Sequence, residues 1–164
     1  MTLLFIALCI LVISFGAVVL VGPPYLPILQ PQMQTALELL DLKPGQTLLE
    51  LGAGDGRVLK AAAQRGWNVV GIEFNLFLVV IAYLRTWRYR KQVRIIWGNY
   101  WQTEWPQADA VFTFMLQKYM TRLDENIEKW RNKPLKLVSF AFYIPDKKAA
   151  VERNGLFVYE YGKK

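Results

Sequence analysis

Histidine is absent from this chain, and cysteine occurs once, as Cys9. Without histidine there is no Ser-His-Asp triad, no imidazole base near neutral pH and no His-ligated zinc. One cysteine allows neither an intrachain disulfide nor a cysteine-rich metal centre, so no metal is expected. Charge is missing from a whole stretch. Residues 1–37 contain no Asp, Glu, Lys or Arg, so all 33 charged residues, 20 basic and 13 acidic, fall in the remaining 127 positions. Repeats and low-complexity tracts are also lacking. A chain of 164 residues suits one domain with a real core.

What is present begins with an apolar run, residues 2–22, TLLFIALCILVISFGAVVLVG. At about 1.5 Å per residue a helix of this length reaches about 30 Å, the hydrocarbon thickness of a bilayer. The competing readings are a secretory signal peptide and a buried core helix. A signal peptide ordinarily carries a positive leading region and a small-residue cleavage site, and no cation precedes this run. The expectation is a single-pass transmembrane anchor over residues 1–22, with the lipid bilayer as partner. Every Lys and Arg lies beyond it, which places the domain on the cytoplasmic side. Four prolines between residues 22 and 31 predict a stiff, non-helical connector over 23–31. The remaining 32–164 form the domain.

Beyond the connector a short helix is expected over 32–40, stopped by Pro44 and Gly45. Strands and helices then alternate: strand 47–51, helix 57–65 with Gly66 as its C-terminal stop, strand 68–73 and helix 76–91. Strands at 93–97 and 109–114, a helix at 120–130 and a strand at 135–144 follow. The short segments 149–153 and 156–161 flank Asn154-Gly155, a pair suited to a type I′ hairpin because both positions need φ > 0. The pattern is α/β, a mostly parallel, doubly wound sheet ending in an antiparallel hairpin. The apolar stretch 76–84 is too short to span a bilayer and is expected to pack on the sheet.

The most informative stretch is Leu49-Glu50-Leu51-Gly52-Ala53-Gly54-Asp55-Gly56-Arg57, between a predicted strand and a predicted helix. Glycines let the backbone turn tightly and approach a ligand, and the helix start offers unpaired N–H groups. The spacing is G-x-G-x-G with an acid two residues ahead, unlike the dinucleotide G-x-G-x-x-G. A second acid, Glu73, ends the next strand, where a carboxylate accepts hydrogen bonds from ribose hydroxyls. Asp55 and Arg57 read as loop and helix-start residues, and Asp109 as a strand-entrance cap.

On these residues the chain resembles the class I S-adenosylmethionine-dependent methyltransferases, with residues 50–56 as their first motif and Glu73 as their second. It is most similar to the membrane-anchored protein-lysine methyltransferases known from mitochondria and their prokaryotic relatives. The shared features are an N-terminal apolar segment, P-Y-x-P (Pro24-Tyr25-Leu26-Pro27), the L-G-x-G-D-G-R loop, a turn at residues 116–120 and a strand ending F-x-I-P (Phe142-Tyr143-Ile144-Pro145). The resemblance implies a Rossmann-like, seven-stranded sheet with an antiparallel last strand, and S-adenosylmethionine as cofactor. It implies cofactor contacts from Glu50, Gly52, Ala53, Gly54, Gly56, Glu73, Phe74, Asn99 and Tyr100. Glu50 would lie near the methionine amino group and Glu73 at the ribose. Asn99 stands where the family usually has an Asp facing the adenine amino group. Tyr25, Gln117, Tyr119, Phe142 and Tyr143 are the substrate-wall candidates. Ile28 and Gln117 depart from the family pattern where substrate enters.

The implied activity is methyl transfer to a lysine of a membrane protein. Two alternatives stay open at this point: methylation of a lipid or small amphiphile, and a non-catalytic membrane-bound scaffold. Arg85, Arg88, Arg90, Lys91 and Arg94, interleaved with Trp87 and Tyr89, read either as a patch for anionic headgroups or as a solvated helix end. Nucleic acid is not expected as a partner, since basic residues among aromatics are unspecific.

Overall fold

A computed structural model describes residues 26–162, together with residues 1, 2, 4–6 and 9. Most of the expected anchor over residues 1–22, and residues 23–25 of the connector with Tyr25 among them, therefore lie outside the described residues. Among the described residues no helix is long and apolar enough to cross a membrane.

The domain is built on one seven-stranded sheet in the order β3-β2-β1-β4-β5-β7-β6. Its strands are β1 (Thr47–Leu51), β2 (Asn68–Glu73), β3 (Val93–Trp97), β4 (Ala110–Thr113), β5 (Leu135–Phe140), β6 (Val151–Arg153) and β7 (Leu156–Tyr161). β1 to β5 pair in parallel, while β7 runs antiparallel between β5 and β6. The central strands are apolar on both sides, as a sheet covered on both faces requires. Asn154 and Gly155 both hold positive φ, 54° and 74°, as the hairpin turn demands.

Four helices position the strands: α1 (Gln30–Leu40), α2 (Arg57–Gln64), α3 (Leu76–Thr86) and α4 (Met120–Trp130). On one face, α1 and α2 pack Met33, Leu37, Leu40, Leu59 and Ala62 against Leu48, Phe112 and Val138. On the other, α4 sets Met120, Leu123 and Ile127 against Leu49, Val111 and Leu137. Truncating a fully buried side chain such as Phe112 to Ala costs about 3–5 kcal/mol. No helix joins β3 to β4. In its place Trp105 is buried under α4, held by its indole N–H to the Tyr100 carbonyl (2.6 Å), while Trp130 donates to the Trp105 carbonyl (2.8 Å).

Several boundaries differ from expectation for local reasons. Pro31 sits in the first turn of α1, where its missing N–H costs nothing, so the helix starts at Gln30 inside the expected connector. The helix expected over 76–91 stays α-helical only to Thr86 and then tightens into a single 3₁₀ turn, Trp87–Tyr89. β4 is shorter than 109–114 and β6 shorter than 149–153. The strand expected over 135–144 ends at Phe140, because Ala141 takes a left-handed φ of 67° and turns the chain across the sheet's end. α3 packs on β2 and β3 as expected, burying Leu78, Ala82 and Thr86 and half-burying Phe77 and Val79, while Leu76, Val80, Ile81, Tyr83 and Leu84 stay exposed.

Candidate active site

At the carboxyl ends of β1, β2 and β4, where strand order reverses between β1 and β4, lies a cavity of about 340 Å³. This is the place in an open α/β sheet where ligands bind. Its floor is the turn after β1. Gly52 and Gly54 take left-handed φ values of 81° and 55°, and the Gly52 and Ala53 amides both donate to the Ile72 carbonyl of β2 (2.9 and 3.0 Å). Nothing stands within 4 Å of where a Cβ on Gly52 would project, so this backbone borders open space. Gly54, Ala53, Glu50, Glu73, Phe74, Asn99 and Tyr100 also line the cavity, as the motif reading expected.

Gly56 does not line it. A Cβ there would lie 2.7 Å from the Ala82 Cβ, so this glycine lets α2 start close against α3. Its expected approach to the cofactor is corrected to a helix-packing role. Gly71 in β2 is a similar case that sequence reasoning missed: a Cβ would meet Ala53 and Leu59 at 2.8 Å. A glycine inside an otherwise branched strand was the available signal.

Glu73 is held by its surroundings. One carboxylate oxygen accepts the Gly54 amide and the other the Asn75 amide, both at 2.8 Å. Burial raises its pKa above the ordinary carboxylate value, partly offset by these N–H donors. Glu50 is more extreme. Burial pushes its pKa well up, and the nearby Glu73 and Asp55 charges add to that. Its Oε2 is buried without a hydrogen-bond partner. Two enclosed carboxylates, one with an orphaned oxygen, suit a ligand bearing a cation and hydroxyl donors.

Asp55 faces the same cavity but is spoken for. It pairs with Arg57 (2.9 Å) and with Arg85 of α3 (2.6 Å), while Arg57 donates to the Ile28 carbonyl (3.1 Å). Burial alone would raise its pKa, but the two guanidiniums bring it net below the ordinary value. The group clamps α2, α3 and the connector together. Asp109, the expected strand-entrance cap, accepts the Thr47 amide (2.8 Å) and pairs with Lys133 (2.6 Å), away from the cavity. Asn99 uses its side-chain oxygen to accept the Trp101 amide (2.9 Å), so one of its lone pairs is committed to the turn. The Tyr100 hydroxyl is buried without a partner, and its pKa is pushed up to about 12, first by burial and then by Tyr119 and Glu73.

The rest of the cavity lining is mostly apolar, with Leu26, Ile28, Phe112, Phe114, Met115, Leu116 and Phe142, and Phe112 stands directly beside Glu50 in the sheet. Of the described substrate-wall candidates, Gln117, Tyr119, Phe142 and Tyr143, only Phe142 lines the cavity. Gln117 instead staples two loops, donating to the Tyr143 carbonyl (2.8 Å) and accepting its amide (3.3 Å). Tyr119 packs on Trp101 with centroids 5.7 Å apart, and Tyr143 on Phe157 at 6.0 Å. Ile28, marked as unusual in the sequence, does reach the cavity and is buried. Phe114, Met115 and Leu116 were missed because an apolar strand end reads as core. Among the described residues no cluster of His, Cys, Asp or Glu is arranged to hold a metal ion.

A sequence-family profile described as "ANTKMT methyltransferase domain" matches residues 50–151, which begin at Glu50 and take in the glycine turn, Glu73, Asn99 and Phe142. The chain belongs to that family. Its fold is that of the class I S-adenosylmethionine-dependent methyltransferases. A human lysine N-methyltransferase named for the ATP synthase c-subunit is 27% identical over 124 residues, covering 74% of this chain and 53% of that protein. A protein-lysine N-methyltransferase of Saccharolobus islandicus (strain REY15A) is 27% identical over 126 residues, covering 74% of this chain and 78% of that protein. This chain spans about half the length of most of the curated relatives it matches. In structure it is similar to an RNA methyltransferase from Salinibacter ruber solved with S-adenosylhomocysteine, at TM-score 0.75 and 26% identity, covering 83% of this chain and 92% of that one. The cofactor of this family is S-adenosylmethionine, and the residues present fit it: Glu50 offers an unsatisfied buried oxygen, Glu73 a fixed carboxylate, and Gly52 an open backbone.

Proposed function

We propose that this protein is a membrane-tethered S-adenosylmethionine-dependent methyltransferase that modifies a lysine side chain of a membrane protein. The observation that carries the reading is a single cavity lined both by the buried carboxylates Glu50 and Glu73 and by aromatic and apolar side chains. Glu50 would hold the cofactor's amino group and Glu73 its ribose, with Phe74, Asn99 and Tyr100 around the base. When bound, the cofactor supplies a methyl group already activated on sulfur. The protein's task is then to bind, align and exclude water. A lysine must arrive neutral, yet its ordinary pKa is near 10.4. Phe114, Met115, Leu116 and Phe142 desolvate the incoming amine and so disfavour its ammonium form. No histidine is needed for this step.

Residues 1–22 serve in this reading as the single-pass anchor, with the domain on the cytoplasmic side as the position of every Lys and Arg supports. The large apolar share of the lining, with Leu26 and Ile28 at the connector, also favours a second reading in which the acceptor is a lipid or small amphiphile. Incubating the full chain with methyl-labelled cofactor and native membranes, then separating protein, lipid and RNA, decides between them. Label in a protein band, recovered as methyl-lysine after hydrolysis, is the expected result. Label in lipid supports the second reading. Label in RNA, or none despite bound cofactor, overturns both.

A further inference from the structure

α3 is an apolar helix with its outer face uncovered. Leu76, Val80, Tyr83, Leu84 and Trp87 recur at helical spacing on the side opposite Leu78, Ala82 and Thr86, the residues it buries. Leu84 is 68% exposed and Trp87 50%, and Trp97 at the end of β3 is 63% exposed. A row of large apolar side chains about 16 Å long is unusual on a surface facing only water.

Charge frames this row. From Phe74 to Thr103 the sequence holds no acid but five cations. Arg85 is taken by Asp55. Arg88, Arg90, Lys91 and Arg94 are exposed, and none is ion-paired with a carboxylate among the described residues. Beside the row lies a cleft of about 320 Å³ walled by Tyr83, Trp87, Arg90, Val93, Arg94 and Ile95, with the Arg90 guanidinium 5.3 Å above the Trp87 ring. One guanidinium over the Trp87 ring and a second arginine in the same cleft wall form a seat for a phosphate with acyl chains beside it.

Position completes the argument. The apolar run of residues 2–22 joins the domain at Leu26, which lines the catalytic cavity together with Phe74, the residue that leads into α3. The α3 row therefore starts at the rim where the anchor would enter.

We propose that the outer face of α3 is an interfacial membrane-docking surface for an anionic leaflet. Leu76, Val80, Leu84 and Trp87 enter the acyl boundary, and Arg88, Arg90, Lys91 and Arg94 hold lipid phosphates. This deepens the membrane-tethered reading and rests on it only for the anchor. It turns the cavity rim toward the bilayer, where a lysine at a membrane protein's surface is presented.

The test uses the full chain in vesicles of phosphatidylcholine, with or without phosphatidylglycerol. Cys9→Ser with Leu84→Cys carries an environment-sensitive fluorophore, and Glu125→Cys on α4, across the sheet, serves as the water-facing control. Flotation with vesicles reports tethering. In anionic vesicles the label at 84 should shift to the blue and be quenched by brominated lipid, while the label at 125 should do neither. Combining R88E, R90E, K91E and R94E should abolish the response at 84 yet retain S-adenosylhomocysteine binding, since each basic group near an anionic leaflet contributes about fivefold in partitioning. A label at 84 as wet as that at 125 in floating protein overturns the docking face and leaves the anchor standing. A label shielded from water but untouched by brominated lipid also overturns it, marking a second copy or another protein as the occupant. Flotation only with anionic vesicles, with the label quenched, removes the anchor and upholds the face. No flotation with either kind removes both.

Discussion

The polar and the apolar parts of the cavity lining differ in chemistry and in how they are encoded. In the polar part, Glu50, Gly52, Gly54 and Glu73 come from two adjacent strand ends and their backbone is tied by short hydrogen bonds. In the apolar part, Leu26, Phe114, Met115 and Phe142 come from three distant stretches and, on the proposed reading, give the acceptor side its shape and dryness. The first part is a set of specific charges, so one substitution should remove binding. The second is a wall, so one substitution should change the reaction and spare the affinity.

Glu73→Ala should have the largest effect. It removes the ribose acceptor and leaves the Gly54 and Asn75 amides unsatisfied, so S-adenosylhomocysteine binding by titration calorimetry should weaken about a hundredfold or more. An unchanged Kd would erase the distinction between the two parts. Glu50→Gln should weaken binding about tenfold to a hundredfold while raising the thermal midpoint of the free protein at neutral pH. The sign follows from its raised pKa. A carboxyl whose folded pKa lies above its unfolded value loses stability as pH rises past the ordinary carboxylate range, and the amide removes that loss. By the same linkage, wild-type affinity should fall with acidification starting above the usual carboxylate pKa, and E50Q should lack that component.

Phe142→Ala should slow methyl transfer about tenfold, an effect of lost positioning, and leave S-adenosylhomocysteine affinity within about threefold. An equal loss of both would merge the two parts into one site. The smallest contrast separates two glycines of one motif. Gly56→Ala should lower stability by about 1–3 kcal/mol through its clash with Ala82 and spare the affinity of the folded fraction. Gly52→Ala, strained at φ 81° but free of clashes, should cost about 1–2 kcal/mol of stability and also lose cofactor binding. Denaturant titration and calorimetry on both variants measure this.

The polar part was legible because its signals are local. A glycine turn after an apolar strand, with an acid before it and another at the next strand's end, fixes position and chemistry within two dozen residues. Strands β1, β2, β3 and β7 were read with their observed bounds because they are short apolar runs stopped by glycine or turn residues, and helix α4 because Met120, Leu123 and Ile127 recur at helical spacing. The apolar part of the lining was only partly legible: Phe142 and Ile28 were singled out and do line the cavity. Phe114 and Met115 read as core, and Tyr119 and Gln117 proved to be packing and loop-stapling residues. Spacing alone could not tell that Gly56 faces a helix and Gly52 a cavity. That 76–84 packs on the sheet was legible; that its outer face stays uncovered was not, because a helix apolar all round is ordinarily buried.

The central claim is that this cavity holds S-adenosylmethionine through Glu50 and Glu73. Its most direct test is the thermal midpoint of the full-length protein with and without S-adenosylhomocysteine. At a hundred times Kd the ligand should add about 2.7 kcal/mol, which for a chain of this size raises the midpoint by roughly 5–10 °C. Glu73→Ala should abolish the rise. An identical midpoint with and without ligand in the folded wild-type protein would contradict the account.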